Sequence, residues 1–568
     1  MKLATSFLIE NLRKTGITHL FGIPGKAIVP IILEAEDQGI RFVLCRHESG
    51  AGFAAAGYAL RKNTIGVAIG TSGPGATNLL TSAAQAKTYH APVLFITGHP
   101  SMRNTGKAQG QDSTLFGTDV TKMFEPVTLF SARVERADLL QTYLTHAIST
   151  ALEGAKGPVH LSIPLDVLNE KMIPFELPNV EQTSYVSSHI DEVIPLIQAS
   201  KRPVILLGKG AHLSHAYEEI KLLVETFQIP VMTTPGGKGA FPTNHSLSLG
   251  GFGLGGSSES DIYMLSGIDL LIVIGSKLSD MSLAGFTPQM LPKKVIHFDY
   301  DGMFIGRTIH TPTLCIRGDI RTNLKYILKN IPFLNQTQSK TTTSLRSMTT
   351  TLFPTQEVAA TLEQEDVGSK NIIVSEKNQS QNSFMTSKAA IKELQKYIPK
   401  KTVFFSDDGS HSFYAIKHLE FNEGCPFYFD DIFGAMGHSI SYAIGAKLAG
   451  VDESIVCFTG DGCFMMHGTE ISVAVNENVN VTYIVFNNGC LDMVNKGMFH
   501  HLGRTDGTVF KTPVHIKQLA ESLGAKAFRC VHLQEIKAAI KEALEYSSCS
   551  VVELIVDPNE IPPTLKRG

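Results

Sequence analysis

Short, continuously apolar segments recur along the chain, and they constrain its fold more than any other feature of the sequence. Most of them lack polar alternation, a pattern typical of strands covered on both faces of a parallel sheet. Longer segments with helical spacing separate them. The sequence therefore predicts an α/β fold built from repeated strand–helix units. The segments are residues 65–70, 92–97, 204–208, 270–275, 295–298, 403–406, 455–459, 482–486 and 551–555.

The length of 568 residues predicts several domains, because chains beyond about 300 residues no longer build one hydrophobic core. Two polar stretches, residues 177–188 and 335–382, lack strand or helix periodicity and divide the chain. We therefore predict three doubly wound parallel-sheet domains, with a linker and a tail that is either a lid or a frayed end. The domains are residues 1–178, 189–333 and 383–558, the linker is residues 334–382, and the tail is residues 559–568.

Charge and hydropathy exclude several classes of function. The 50 Lys and Arg residues are balanced by 53 Asp and Glu residues, so the chain lacks the basic excess of nucleic-acid-binding proteins and gives no reason to expect anionic membranes as partners. The apolar runs are far shorter than the roughly 18 residues of a membrane span. Glu10 and Asn11 interrupt the first apolar stretch, which argues against a signal peptide. The eight cysteines form no CxxC pair, so we expect free thiols and a cytoplasmic location.

Two short polar motifs follow consecutive apolar runs near the C-terminus. A GDG motif contains Asp461, and an NN motif ends at Asn488. A GDG sequence alone is also a common turn. Together, however, a carboxylate and a carboxamide that end neighbouring parallel strands meet at one sheet edge, where α/β proteins bind ligands. Such oxygen ligands suit Mg²⁺ together with phosphate oxygens, and the glycines allow a diphosphate to approach the backbone closely.

A second candidate site follows an apolar stretch in the N-terminal part. The motif Arg46-His47-Glu48 precedes a helical run rich in Ala and Gly, so Glu48 is expected to be partly buried. One interpretation is an acid that complements the dipole at a helix N-terminus. The other is a carboxylate kept dry so that it exchanges a proton with a ligand nitrogen.

Two further strand-to-helix turns are rich in Gly and polar residues. The sequence TSGPGATN begins at Thr71, and SDDGSH begins at Ser406. The first is either an anion site at a helix N-terminus or only a tight turn. The second offers hydrogen-bond donors to another face of a diphosphate.

These motifs, in this order, resemble those of the thiamine diphosphate-dependent enzymes, and the chain is similar end to end to their acetolactate synthase-like branch. The GDG motif with 24 residues before NN, together with an upstream RHE, is specific for the cofactor and much less so for the substrate. The other matching segments are FGIPG from Phe21, TSGPGATN from Thr71, PVLFITG from Pro92, GPVHLSIPLDV from Gly157 and GAMG from Gly434.

The resemblance implies a pyrimidine-binding, a central and a diphosphate-binding domain, and it assigns site residues by motif. Glu48 would hydrogen-bond the aminopyrimidine ring nitrogen and so activate the cofactor, and Met436 would hold the cofactor bent. Asp461 and Asn488 would bind Mg²⁺ through their side chains, and Cys490 through its backbone carbonyl. In such enzymes Glu48 and Asp461 come from different subunits, which implies a homodimer or homotetramer with active sites at the interface. The remaining cofactor-binding residues are Pro24, Gly25, Ser72, Asn78, Gly409, Ser410, His411, Gly434, Gly460, Gly462, Cys463 and Leu491.

The central domain leaves a second cofactor open. In relatives this domain binds FAD, ADP or neither, and here it carries a Gly-rich segment at residues 237–256. Some FAD-binding synthases have an Arg after the Asp of a later motif, where this chain has Met281. The missing phosphate partner weakens the case for FAD.

Three positions depart from acetolactate synthases, and all of them concern the substrate. Phe116 replaces a Gln, Leu129 replaces a Lys, and Gly497 stands where biosynthetic synthases carry a Trp that shapes the acceptor pocket. Gly497 should enlarge that pocket. The polar residues beside it either bind an anionic or polar acceptor or belong to a solvated loop. The candidate substrate residues are Gln111, Phe116, Lys496, Gly497 and His500.

The sequence thus predicts a thiamine diphosphate- and Mg²⁺-dependent enzyme. It would decarboxylate a 2-oxo acid, with pyruvate the first candidate, and transfer the hydroxyalkyl group to a carbonyl acceptor. One alternative keeps the cofactor and is a 2-oxo acid decarboxylase or a specialised carboligase with another donor or acceptor. Another is a non-catalytic paralogue that binds cofactor or a partner subunit, and the presence of Glu48, Asp461 and Asn488 argues against it.

Overall fold

The computed structural model describes residues 2–178, 184–331 and 384–567, without the side chains of residues 566 and 567. The predicted linker at residues 334–382 lies outside this part of the chain. The described residues form three six-stranded sheets in which every neighbouring pair of strands is parallel, and one short antiparallel pair. The predicted α/β class with three parallel-sheet domains is confirmed, and the predicted domain boundaries stay a prediction.

The N-terminal sheet has the strand order β3-β2-β4-β5-β7-β6. Its strands are β2 (His19–Gly22), β3 (Arg41–Leu44), β4 (Gly66–Gly70), β5 (Val93–His99), β6 (Phe130–Arg133) and β7 (Val159–Pro164), and β1 (Lys2–Leu3) pairs separately with β8 (Lys171–Met172). The helices are Ala4–Lys14, Val29–Asp37, Glu48–Lys62, Pro74–Thr77, Leu80–Tyr89, Val120–Phe124, Leu140–Leu152 and Leu165–Leu168.

The central sheet has the strand order β11-β10-β9-β12-β13-β14. This order is that of dinucleotide-binding α/β folds, in which ligands bind where the strand order reverses, here between β9 and β12. The strands are β9 (Pro203–Leu207), β10 (Val231–Thr233), β11 (Ser248–Gly251), β12 (Leu270–Ile274), β13 (Lys294–Asp299) and β14 (Thr313–Arg317). The helices are Val193–Ala199, Gly210–Leu213, Tyr217–Phe227, Ser258–Leu265 and Ile320–Asn330.

The C-terminal sheet has the strand order β16-β15-β17-β18-β20-β19, which repeats the order of the N-terminal sheet. Its strands are β15 (Thr402–Ser406), β16 (Phe427–Tyr428), β17 (Ser454–Gly460), β18 (Thr482–Asn487), β19 (Lys526–Cys530) and β20 (Ser550–Ile555). The helices are Ser387–Leu394, Ser410–His418, His438–Leu448, Asp461–His467, Ile471–Asn476, Asp492–Leu502, Ile516–Ser522 and Leu533–Glu545.

The inner strands are apolar throughout because each sheet is buried on both faces. Neighbouring residues of β4, for example, belong to different hydrophobic cores, Val67 to one and Ala68 to the other. In the central sheet Val204 and Ile205 divide in the same way. All nine apolar segments of the sequence coincide with strands of the three large sheets.

The N-terminal and C-terminal domains share one hydrophobic core, which is built around a contact between two helices. The helices Glu48–Lys62 and His438–Leu448 approach closely because glycines face the partner backbone. A Cβ on Gly57 would lie 2.1 Å from the Tyr442 carbonyl oxygen, and one on Gly445 would lie 1.8 Å from that of Ala54. This contact fixes the positions of the RHE and GAMG motifs, since each motif directly precedes or begins one of the two helices.

Within the described residues, we find no helix that has the length and apolar character needed to cross a membrane.

Candidate active site

Glu48 is the first residue of the helix Glu48–Lys62. His47 caps this helix, because its Nδ1 accepts a hydrogen bond of 3.2 Å from the Ser49 amide. Glu48 is buried, and its Oε2 accepts a hydrogen bond of 2.9 Å from Asn78 Nδ2. The carboxylate is therefore held at a helix N-terminus and is oriented by a residue of the TSGPGATN motif.

The turn after β4 packs directly against Glu48. A Cβ on Gly75 would lie 3.3 Å from Glu48 Oε1, and a Cβ on Gly25 would lie 2.4 Å from Thr71 Cβ. Two motifs that are distant in sequence, FGIPG and TSGPGATN, thus meet beside the carboxylate. The other residues that we assigned to this side are Pro24, which is exposed, and Ser72, which is buried.

Asp461 and Asn488 lie at the same edge of the C-terminal sheet, as expected from their positions after two consecutive apolar runs. Asp461 Oδ1 accepts a hydrogen bond of 2.9 Å from the Gly462 amide, and its Oδ2 accepts one of 2.8 Å from the Gly489 amide. Asn488 Oδ1 accepts one of 3.3 Å from the Cys490 amide. Burial raises the pKa of Asp461 to about 6, and across the described ranges no cationic side chain forms an ion pair with it.

Residues from three separate motifs converge on Gly462. A Cβ on Gly462 would lie 2.6 Å from Leu491 Cδ2 and 3.4 Å from Met436 Cε. Met436 belongs to the turn at residues 434–437, whose two end glycines have φ values of +66° and +87°. Such values favour glycine, because other residues meet steric strain there. The GAMG, GDG and NN motifs therefore surround one space.

A fourth motif borders the same space. Gly409 has a φ of +151° and directly precedes the helix Ser410–His418. His411 Nδ1 would lie 3.0 Å from a Cβ on Gly460. His411 Nε2 is buried and has no hydrogen-bond partner within the described ranges. Burial lowers the pKa of His411 to about 4, so its imidazole is neutral near pH 7.

The two cysteines inside these motifs are buried, and their thiols have raised pKa values. The Cys463 thiol donates to the Asp408 carbonyl oxygen at 3.1 Å, and burial raises its pKa well above the ordinary value. Burial also raises the pKa of Cys490 to about 12. Because the thiolate is the nucleophilic form, these raised pKa values disfavour reaction at either sulfur near neutral pH. Only the backbone of Cys490 remains as a candidate ligand.

Comparison with known proteins identifies the family. The chain matches the N-terminal TPP binding domain of thiamine pyrophosphate (diphosphate) enzymes at residues 2–123, their central domain at residues 190–327 and their C-terminal TPP binding domain at residues 407–554. It is 30% identical over 577 residues to a probable acetolactate synthase large subunit of Methanococcus aeolicus, which covers 98% of this chain and 93% of that protein. The chain belongs to the acetolactate synthase-like thiamine diphosphate-dependent enzymes.

Other proteins similar to this thiamine diphosphate-dependent enzyme are also acetolactate synthases. An acetolactate synthase of Mycobacterium bovis is 30% identical over 566 residues, with 96% of this chain and 86% of that protein covered. An acetolactate synthase large subunit of Lactococcus lactis is 26% identical over 573 residues, with 99% and 94% covered.

Among the candidate substrate positions of the N-terminal domain of this enzyme, Gln111 lies beside the TSGPGATN turn, and Phe116 and Leu129 have other surroundings. Gln111 has a φ of +56°, and its Cα would lie 2.9 Å from a Cβ on Gly73 in the TSGPGATN turn. Gln111 therefore borders the site. Phe116 is 67% exposed, and Leu129 packs against Gly157, where a Cβ would lie 2.8 Å from Leu129 Cδ1.

The candidates after the NN motif lie on the helix Asp492–Leu502. Lys496 Nζ donates to the backbone carbonyl oxygen of Pro558 and so ties this helix to the residue that directly precedes the tail. A Cβ on Gly497 would meet no atom within 4 Å, so the position is open. His500 is exposed, and its ring lies 4.9 Å from that of His501. The tail is not frayed at Pro562 and Pro563, which are buried, and its last turn packs against the helices Ser410–His418 and Asp492–Leu502.

A separate cavity of about 390 Å³ lies where the three domains meet. It is next to the reversal point between β9 and β12, where a Cβ on Gly210 would lie 2.6 Å from Gly275 Cα. Burial lowers the pKa of Lys277 to about 8 and raises that of Asp299 to about 6. The charged and titratable residues lining it are His90, Glu153, Lys156, Lys209, His212, His215, Lys277, Asp299, Tyr300, Asp319, Tyr428 and Asp431.

Two groups of contacts near the site carried no signal in the sequence. Glu470 accepts hydrogen bonds from the backbone amides of Arg46 and His47, although more than 400 residues separate them. Asp407 lies 3.2 Å from His438 and 2.8 Å from the Gly437 amide. Sequence spacing does not reveal such contacts, because they depend on how separate strand–helix units pack.

Proposed function

We propose that this enzyme decarboxylates a 2-oxo acid, with pyruvate as donor, and transfers the hydroxyalkyl group to a carbonyl acceptor, using thiamine diphosphate and Mg²⁺. The observation that carries the proposal is the buried carboxylate of Asp461. It lies at the carboxyl edge of a parallel sheet among oxygen and amide groups, with no cationic side chain paired to it within the described residues. A site of this kind attracts a divalent cation.

The donor set fits both parts of the cofactor. For Mg²⁺ we assign the side chains of Asp461 and Asn488 and the carbonyl of Cys490, all of which offer hard oxygen ligands. For the diphosphate we assign the N-terminus of the helix Ser410–His418, where backbone amides favour an anion. The unpartnered Nε2 of His411 supports this assignment. The space next to Gly462, which a Cβ would fill, lies between Met436 and Leu491.

Glu48 is the proposed catalytic residue. Thiamine diphosphate supplies an electron sink for the carbanion that decarboxylation leaves. Glu48 holds a proton at the aminopyrimidine nitrogen, and Asn78 orients its carboxylate through the hydrogen bond to Oε2. Burial of Glu48 keeps competing water away from that proton.

We further propose a homodimer or homotetramer in which two chains complete each site. Within the described residues, no hydrogen bond or ion pair joins Glu48 to Asp461. Glu48 accepts a hydrogen bond from Asn78 and packs against Gly75, both in its own domain. Because both residues must reach one cofactor, a second copy of the chain supplies the missing half.

The proposal extends to the acceptor substrate and to a second cofactor. The open space at Gly497 supports an acceptor larger or more polar than pyruvate as the alternative to acetolactate synthesis. For FAD, the candidate place is the cavity between the domains, and the visible absorbance spectrum of the purified protein decides its presence. The eight cysteines are free, which supports a reducing, cytoplasmic location.

The variant Glu48→Gln tests the catalytic assignment. We expect turnover to fall by about 100-fold or more, with thiamine diphosphate still bound in a calorimetric titration. Glu36→Gln is the matched control, because Glu36 is an exposed glutamate of the same domain that accepts a hydrogen bond from the Phe42 amide. Near-normal turnover of Glu48→Gln would refute the role of Glu48.

A further inference from the structure

The turn at residues 434–437 carries Met436 toward the space next to Gly462, and its shape is unusual. Gly434 and Gly437 both have positive φ values, and no regular secondary structure supports the residues between them. A turn of this kind keeps one shape only if neighbouring groups satisfy its backbone. The contacts of this turn therefore decide where Met436 lies.

His438 and Asp407 supply two of these contacts. The Gly437 amide donates to Asp407 Oδ1 at 2.8 Å, and His438 Nδ1 donates to the Ala435 carbonyl oxygen at 2.6 Å. His438 Nδ1 also lies 3.2 Å from Asp407 Oδ1. Asp407 is held in turn by Thr459, whose Oγ1 donates to Oδ2 at 3.1 Å. The turn is thus tied to β17 through Asp407.

Asp408 completes the group on the other side of the turn. A Cβ on Gly434 would lie 3.1 Å from Asp408 Oδ1, and Asp408 Oδ2 lies 3.6 Å from His438 Nδ1. Asp407 and His438 are almost fully buried. Burial alone lowers the pKa of His438, but the hydrogen bond to Asp407 and the carboxylates of Asp407 and Asp408 outweigh it and raise the pKa to about 9.

The spacing of these three side chains also suits a metal ion, but the hydrogen bonds argue against one. A carbonyl oxygen accepts and never donates, so His438 Nδ1 must carry a hydrogen toward Ala435. A ring nitrogen that carries a hydrogen has no lone pair for a metal. His438 therefore forms an ion pair with Asp407 and supports the backbone of the turn at residues 434–437.

We propose that His438, held between Asp407 and Asp408, is the positioning residue that fixes the turn at residues 434–437 and with it Met436. This inference rests on the proposed function, because it takes the space beside Met436 as the cofactor site. Without His438, the Ala435 carbonyl loses its donor and the buried carboxylate of Asp407 loses its counterion. The turn then relaxes, and the cofactor binds less tightly and in a less productive geometry.

Three variants separate the donor from the charge. His438→Leu removes both, while His438→Asn keeps a hydrogen-bond donor near the position of Nδ1 without the charge. Tyr442→Phe is the matched control, since Tyr442 lies one turn further along the same helix, its ring is 5.1 Å from that of His438, and its hydroxyl has no partner among the described residues. Asp408→Asn is a fourth, isosteric variant for the case that His438→Leu does not fold.

The experiment measures the affinity for thiamine diphosphate with Mg²⁺ by calorimetry, and turnover at saturating cofactor. We expect His438→Leu to weaken cofactor binding by about 10- to 100-fold and to lower kcat, with KM for the 2-oxo acid unchanged. His438→Asn should recover part of both losses, Asp408→Asn should weaken binding less than His438→Leu, and Tyr442→Phe should match the wild type.

The outcomes distinguish this inference from the proposed function. If the wild type binds no thiamine diphosphate, the proposed function is wrong. If the wild type binds and the folded His438 and Asp408 variants bind and turn over equally well, the positioning role is wrong and the proposed function stands. A lower melting temperature with unchanged affinity and kcat would likewise reduce His438 to a structural residue.

Discussion

Replacing Glu470 tests how the loop that carries Glu48 is held. Glu470 is 1% exposed, and its Oε1 accepts hydrogen bonds from the Arg46 amide at 3.0 Å and the His47 amide at 2.8 Å. Glu470→Ala leaves both amides without a partner. Each lost partner costs about 1–3 kcal/mol, so we expect the free energy of unfolding to fall by about 2–6 kcal/mol.

Glu470→Gln should keep both hydrogen bonds, because its amide group retains an oxygen that accepts from both backbone donors. Burial raises the pKa of Glu470 from 4.5 to about 7, although Arg46 and the two amides lower it. The folded protein therefore holds a proton here that the unfolded chain has already released. That difference lowers the stability of the wild type by about 3 kcal/mol as the pH rises from about 4.5 to above 7. The Gln variant lacks this loss.

Urea denaturation of the wild type and both variants at about pH 4.5 and about pH 8 measures these effects. The stability of Glu470→Gln relative to the wild type should increase with pH, and Glu470→Ala should be the least stable at both values. Because Glu470 also places Glu48, kcat of Glu470→Ala should fall by about 100-fold or less. A Glu470→Ala protein as stable as the wild type, or a Gln variant that loses stability with pH as the wild type does, would refute this reasoning.

Two further predictions concern the contacts between domains. Gly445→Ala places a Cβ 1.8 Å from the Ala54 carbonyl oxygen, so we expect a loss of about 1–3 kcal/mol or more in chemical denaturation; Gly110→Ala, whose Cβ would meet nothing within 4 Å, is the control, and equal stability of the two would contradict the close helix contact. Lys209→Met removes the ion pair of 3.0 Å with the fully buried Asp430, so we expect a loss of about 3–5 kcal/mol. Adding Asp430→Asn should restore part of that loss, and no restoration would show that the unpaired charge is not its cause.

Sequence reasoning succeeded where a local pattern determines the structure. The nine apolar segments became inner strands because both faces of each sheet are buried. The edge strand Phe427–Tyr428 has only two residues and gave no run long enough to detect. Asp461 and Asn488 were brought together because parallel strands end at the same sheet edge, so motif spacing alone predicts their meeting.

Contacts that depend on packing between domains could not be predicted from the sequence. Glu470 accepts a hydrogen bond from the Arg46 amide, and nothing in the sequence around Glu470 indicates this partner. Lys496 looked free to bind a substrate, but its amine donates to the Pro558 carbonyl oxygen directly before the tail. Asp407 and His438 belong to different strand–helix units, and only the fold reveals that they hold one turn.

A turnover assay with purified protein, thiamine diphosphate, Mg²⁺ and pyruvate tests the proposed reaction directly. It follows the loss of pyruvate and scores acetolactate by its conversion to acetoin in acid. We expect pyruvate loss that requires both cofactors, with acetoin formed in proportion. Acetaldehyde in place of acetoin would favour the decarboxylase alternative. Pyruvate loss that does not depend on thiamine diphosphate, or no turnover of any 2-oxo acid with the cofactor bound, would contradict the proposed function.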